Sequence, residues 1–110
     1  MRVMVAVMVI GMVSMAPVAA RAQDAAKGEA IYGAQKCQMC HSVAGKGGKT
    51  SALDGVGKKL TAAEIKEWIV DPAAAATKHK SIKKPLMPKT YAKLPAADID
   101  GLVAYLQTLK

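Results

Sequence analysis

The chain has 110 residues, room for one small domain and little else. It carries 16 Lys and Arg against 8 Asp and Glu, yet its two arginines, Arg2 and Arg21, sit near the N-terminus and no base-reading motif follows, which sets nucleic-acid binding aside. With no Phe, one Trp and three Tyr, large hydrophobic groups are too scarce for an ordinary core of this size, and a bulky apolar cofactor would supply what the side chains do not.

The first stretch differs from the rest. Arg2 gives a positive start, residues 3–13 are almost unbroken apolar sequence, and the stretch ends in the small-x-small pattern Ala20-Arg21-Ala22. That order predicts a secretory signal peptide over residues 1–22, cleaved after Ala22, and a mature domain over 23–110. An uncleaved membrane anchor is the alternative, because the apolar run approaches the ~20 residues that a spanning helix needs. Pro17 interrupts that run and favours cleavage.

Asp24 is placed to cap a helix running from Ala25 towards Cys37. Gly28 and Gly33 weaken it, since an interior Gly costs about 1 kcal/mol relative to Ala, so each calls for a packing reason or a bend. Gly28 and Tyr32 are four apart and share a face, as a close crossing by another helix would require. From Val43 to Gly57 the composition turns to Gly, Lys, Ser and Thr, which predicts a loop. Thr61-Ala62-Ala63-Glu64 is a capping box, and Ile65, Trp68 and Ile69 follow at helical spacing. Asp71-Pro72 ends that helix or starts a short one over 73–76. Residues 78–89 are basic and hold Pro85 and Pro88, the pattern of an extended loop. A last helix begins near Pro95 with Ile99, Leu102, Val103, Leu106 and Leu109 on one stripe and Tyr105 beside it. No stretch alternates apolar and polar residues, so the fold class expected is all-α, with three to four helices.

Cys37-Gln38-Met39-Cys40-His41 carries the chemistry. Cys-x-x-Cys-His is the attachment signature of c-type haem: on a helical turn, positions i, i+3 and i+4 share a face, so two thiols reach two vinyl groups while the imidazole reaches iron. A thioredoxin-like redox pair would come with a strand-helix-strand pattern, and none is visible. Zinc would want four ligands, whereas residues 23–110 hold two Cys and two His, with His79 far off among lysines. A plain disulfide leaves His41 unexplained. Beyond the leader only Met39 and Met87 remain as thioether ligands. Met39 lies within the attachment motif and cannot easily reach the far side of the same haem. Met87, in Pro85-Leu86-Met87-Pro88, is the candidate sixth ligand, and Met/His ligation raises the potential. His79, flanked by Lys78 and Lys80, is the alternative ligand and otherwise reads as a solvated surface histidine.

At these residues the chain resembles a small class I cytochrome c of the bacterial, periplasmic type. It has, in order, a helix entering Cys-x-x-Cys-His, a Gly-rich loop, a middle helix, a Met-Pro loop and an amphipathic last helix. The resemblance implies one covalent haem c, iron ligation by His41 and Met87, and first and last helices that cross where Gly28, Tyr32 and Tyr105 stand. It also implies that a carbonyl of a Gly-Pro pair accepts the histidine ring N–H. Thr50-Ser51 stands where that pair would be, although Ser51 still offers a carbonyl. Trp68 resembles the family's buried aromatic near the haem, a role that agrees with ordinary core packing.

The function implied is that of a periplasmic, monomeric electron carrier rather than an enzyme, not embedded in the membrane. Lys46, Lys49, Lys58, Lys59, Lys78, Lys80, Lys83, Lys84, Lys89 and Lys93 fall in or beside the expected haem-flanking loops. They would favour acidic redox-partner proteins, in membrane respiratory complexes or periplasmic oxidoreductases, or serve solubility alone. Two alternatives stay open: a haem subunit or catalytic haem protein with an open or displaceable sixth ligand, and a cytochrome tethered by its N-terminus.

Overall fold

The computed structural model describes residues 18–110. Two helices from opposite ends of this stretch, α1 (Val18–Ala34) and α5 (Ala96–Gln107), cross in backbone contact. A Cβ added at Gly28 would fall on the main-chain carbonyl of Gly101 and within 2.8 Å of Tyr105 Cβ, so only glycine fits at position 28. One turn along, the rings of Tyr32 and Tyr105 meet edge to face with centroids 5.5 Å apart and planes at 62°, a favoured aromatic geometry. The expected crossing is therefore present, and it includes Gly101, which the sequence pattern alone did not mark. Lys27 Nζ and Asp98 Oδ1 lie 3.3 Å apart on the rim of the same crossing, a half-exposed ion pair worth at most about 1 kcal/mol.

Between these helices the chain makes a 3-10 turn (Cys37–Met39) and three short strands: β1 (His41–Val43), β2 (Lys46–Gly47) and β3 (Ser51–Ala52). Next come α2 (Val56–Lys59), α3 (Ala62–Val70), α4 (Pro72–Lys78) and a second 3-10 turn (Lys89–Lys93). The all-α class holds, with five helices among the described residues rather than three to four. The added one, α2, is a single turn whose Gly57 N–H donates to the Leu109 carbonyl at 2.8 Å. The strands, which lie within the expected loop, are too short for the alternation that marks a strand in sequence. β1 lies between β2, antiparallel, and β3, parallel, in register His41 to Ser51.

The capping chemistry follows the reading of the residues. Thr61 Oγ1 accepts from the Glu64 N–H at 3.2 Å, and Glu64 Oε1 accepts from the Thr61 N–H at 3.0 Å. Asp71-Pro72 both ends α3 and starts α4, with Asp71 Oδ1 accepting from the Ala74 N–H and Pro72 at the first helical position. Asp24, by contrast, lies inside α1 rather than capping it, because helix already runs through the Ala-rich residues 18–22. A Cβ added at Gly33 would meet open space, and the residue stands at the bend that ends α1, where its carbonyl accepts from the Lys36 N–H at 3.1 Å. Of the expected leader, residues 1–17 lie outside the described residues. No helix among the described residues is long and apolar enough to cross a membrane.

Tyr32, Ile65, Ile69, Ile99, Leu102, Val103, Tyr105 and Leu106 form the buried cluster, drawn from α1, α3 and α5. It sits to one side of a large cavity instead of filling the domain. In chemical denaturation of the haem-loaded protein, Gly28→Ala should cost about 1–3 kcal/mol, the usual penalty for overpacking. Gly101→Ala, whose Cβ would meet only ordinary 3.5 Å contacts, should be neutral or gain up to about 1 kcal/mol of helix propensity.

Candidate functional site

The attachment motif begins where α1 ends. Lys36 takes a left-handed conformation (φ 58°), which turns the chain sharply into the 3-10 turn holding Cys37 and Cys40. His41 is therefore not a third residue on one helical face, as the spacing suggests; it opens β1 immediately after the turn. Glycines back this segment. At Gly47 (φ +119°) a Cβ would strike the His41 carbonyl, and the Gly48 N–H donates to the Gln38 carbonyl at 2.7 Å and the His41 carbonyl at 3.1 Å. The Gly-rich stretch thus folds against the main chain of the motif, as only residues without a side chain allow.

His41 Nδ1 lies 3.1 Å from the Ser51 carbonyl. The acceptor left open by the missing Gly-Pro pair is thus a β3 main-chain oxygen, aligned by the parallel β1–β3 register. A carbonyl only accepts, so Nδ1 carries the hydrogen and the lone pair falls on Nε2, the arrangement that an iron-binding imidazole needs. Burial holds the ring's proton affinity below its usual value and Lys83 acts in the same direction, against the Ser51 hydrogen bond, which favours the charged ring. The net effect keeps the imidazole neutral, its ligating form.

Cys40 is exposed and Cys37 half-buried, and no disulfide joins them. Before attachment, burial pushes the Cys37 thiol up. Tyr32, whose hydroxyl makes a long 3.5 Å contact to the His41 carbonyl, is pushed up to about 12, first by burial and then by Cys37 and its neighbours. It remains a neutral phenol.

Cys37, Cys40, His41 and Met87 all line a single cavity of about 520 Å³. The rest of its wall is mainly apolar: Leu53, Leu60, Ile65, Trp68, Leu102 and Leu106 among others. Met87 reaches it from the loop between α4 and the second 3-10 turn, half-buried while its neighbours are exposed. The cavity fits a large, flat, apolar group that carries one metal and is attached at one edge. Zinc fits less well, because no three His, Cys, Asp or Glu side chains cluster among the described residues.

His79 is not the solvated histidine its lysine neighbours suggest. It lines the same cavity, stacks on Trp68 with ring centroids 5.7 Å apart, and leaves 25% of its side chain exposed. Its buried Nε2 lies 3.5 Å from Glu64 Oε2 but has no aligned hydrogen-bond partner. The return of α4 along α3 after Asp71-Pro72 brings the three side chains together, a tertiary effect with no local signal.

A family model described as Cytochrome c matches residues 25–110. No curated protein and no solved structure matches the chain. For Cys40→Ala we expect haem held by one thioether or lost altogether, and for Cys37→Ala with Cys40→Ala a polypeptide free of covalent haem. Intact mass after acid extraction, together with the pyridine haemochrome spectrum, checks both.

Proposed function

Because the chain belongs to the cytochrome c family, we propose that this haem-based electron carrier is a soluble, monomeric class I cytochrome of bacterial type that works in the periplasm, with His41 and Met87 as the residues that would hold its iron. The observation that carries the reading is the convergence of Cys37, Cys40, His41 and Met87, from stretches about 50 residues apart, on one apolar cavity. Haem c, covalently bound in this family, supplies a one-electron iron couple; the chain supplies attachment, orientation and surroundings.

Each residue has a defined task. Cys37 and Cys40, at the end of α1, would hold the group by thioether bonds. His41 presents Nε2, its tautomer held by the Ser51 carbonyl. Met87 offers a soft, neutral sulfur that favours the reduced state and raises the potential. The apolar wall excludes water, so little solvent has to reorganise when the charge changes by one. His79 is the weaker candidate for the sixth position, since its Nε2 is enclosed beside Glu64 and its ring is held flat on Trp68. Held by His41 and Met87 together, the iron would offer no place to oxygen or peroxide, the condition of a carrier rather than an enzyme.

The surface suits brief encounters with acidic proteins. The lysines of the loops around the cavity, from Lys46 to Lys93, outnumber nearby carboxylates, and a one-signed field of this kind speeds association while leaving it sensitive to salt. Membrane respiratory complexes and periplasmic oxidoreductases with acidic docking faces are the partners expected.

Met87→Ala should lower the potential, abolish the weak long-wavelength absorption of sulfur-ligated ferric haem and let the ferrous protein bind carbon monoxide; an unchanged spectrum would move the ligand role to His79. Electron exchange with an acidic partner protein, followed by stopped flow, should slow about tenfold or more between about 0.01 M and about 0.15 M ionic strength.

A further inference from the structure

His41 opens β1, and a side chain fastens the other end of that strand. Three contacts first join residues 40–42 to residues 51–53: the Ser51 N–H donates to the Cys40 carbonyl at 3.2 Å, His41 Nδ1 to the Ser51 carbonyl at 3.1 Å, and the Leu53 N–H to the Ser42 carbonyl at 2.8 Å. In a parallel pair the next bond would run from the Ala44 N–H to the Leu53 carbonyl. That carbonyl is already engaged at the start of α2, where it accepts from the Val56 N–H at 3.1 Å. The Ala44 N–H donates instead to Asp54 Oδ1 at 2.7 Å, the shortest contact of the series.

The same point carries backbone strain. Ala44 (φ 51°) and Gly45 (φ 78°) are both left-handed and form the two-residue connection between β1 and β2, with Val43 opposite Lys46. Turns of this kind take Asn or Asp followed by Gly, and alanine has no polar group with which to settle its own backbone there. Asp54 supplies, from outside the turn, the carboxylate that position 44 lacks. It is also the only carboxylate among the described residues that line the large cavity, so its charge and its contact with Ala44 both bear on the site.

We propose that Asp54 is a positioning residue for His41: by fastening the turn end of β1 to the chain that leaves β3, its carboxylate keeps the Ser51 carbonyl in register with Nδ1. The proposal rests on the reading of His41 as an iron ligand and adds to it the side chain that holds the strand in place. Only Ser42 and Val43 separate His41 from Ala44, so slack at the turn reaches the imidazole with little chain to absorb it. An acceptor on Nδ1 raises the basicity of a ligating ring and so favours the oxidised metal. Loosening the clasp therefore raises the potential.

The test uses the complete haem-loaded protein. Asp54→Asn keeps an oxygen acceptor at the same reach and removes the charge, whereas Asp54→Ala removes both, so a difference between these two variants reports the contact and not the charge. Exchange of the His41 Nδ1–H with solvent, followed by NMR in the reduced state, should be about tenfold faster in the Ala variant than in the Asn variant. Against a common redox mediator the Ala variant should also stand about threefold further towards the reduced form, about 30 mV higher in potential. Adding Ala44→Gly to Asp54→Ala should return the exchange to within twofold of the Asn variant, because Gly takes a left-handed conformation without help. Asp54 is exposed, so its replacement leaves the buried cluster intact. If the Ala variant nonetheless takes up no haem, the double variant carries the comparison: exchange within twofold of the Asn variant supports the proposal and faster exchange overturns it. Equal exchange and equal potential in the Ala and Asn variants would also overturn it. The ring-current-shifted imidazole resonances of His41 in the unaltered reduced protein report on ligation itself. Their absence would sink the ligand reading, while their presence alongside indistinguishable variants sinks only the role of Asp54.

Discussion

The contact of α1 with α5 at Gly28 and Gly101 sets where everything else can go. Two helices distant in sequence approach until main chain meets main chain, and Tyr32 and Tyr105 lock the crossing one turn further on. Because the attachment turn follows the end of α1 directly, this crossing also fixes the position of Cys37, Cys40 and His41. The last helix then supplies Leu102 and Leu106 to the cavity wall that faces them. A chain without Phe and with a single Trp cannot fill such a space by itself, and its buried cluster accordingly covers only one side. The cofactor is a structural component of this domain as much as its working part.

Much of this was legible in the residues, for identifiable reasons. The capping box at Thr61 and Glu64, the Asp71-Pro72 break and the stripe of α5 depend on short-range chemistry, so spacing alone reveals them. The attachment motif is legible for the same reason: its five residues are contiguous. What escaped depends on tertiary approach. The three strands hold two or three residues each and are created by pairing, not by any alternation within them. Gly101 takes part through its main-chain carbonyl, which Gly28 approaches, so no property of its own residue type marks it. His79 reads as exposed beside Lys78 and Lys80, and becomes a stacked, half-enclosed ring only when α4 folds back along α3. Asp24 departs from its expected place for a simpler reason, since a good capping residue is also tolerated within a helix whose preceding residues are mostly alanine.

The distribution of charge and apolar surface has a division of labour. Two rings on the cavity wall are kept neutral, His41 by burial and Tyr32 by burial and the groups around it. Charge is carried outside, on lysines of the loops. A neutral interior limits the response of the protein to a one-electron change, and the Met87 loop faces the cavity on one side and a lysine-bordered cleft on the other.

The partner of His41 is a carbonyl, and every amino acid has one. The orientation of the imidazole is thus written in the path of β3 and in no side chain of that strand, which explains how Thr50-Ser51 can occupy this point without loss of the hydrogen bond. Position 51 is free to drift in composition while its geometry is held. A survey by side-chain truncation at that position would pass over the contact that orients His41, because truncation leaves it in place.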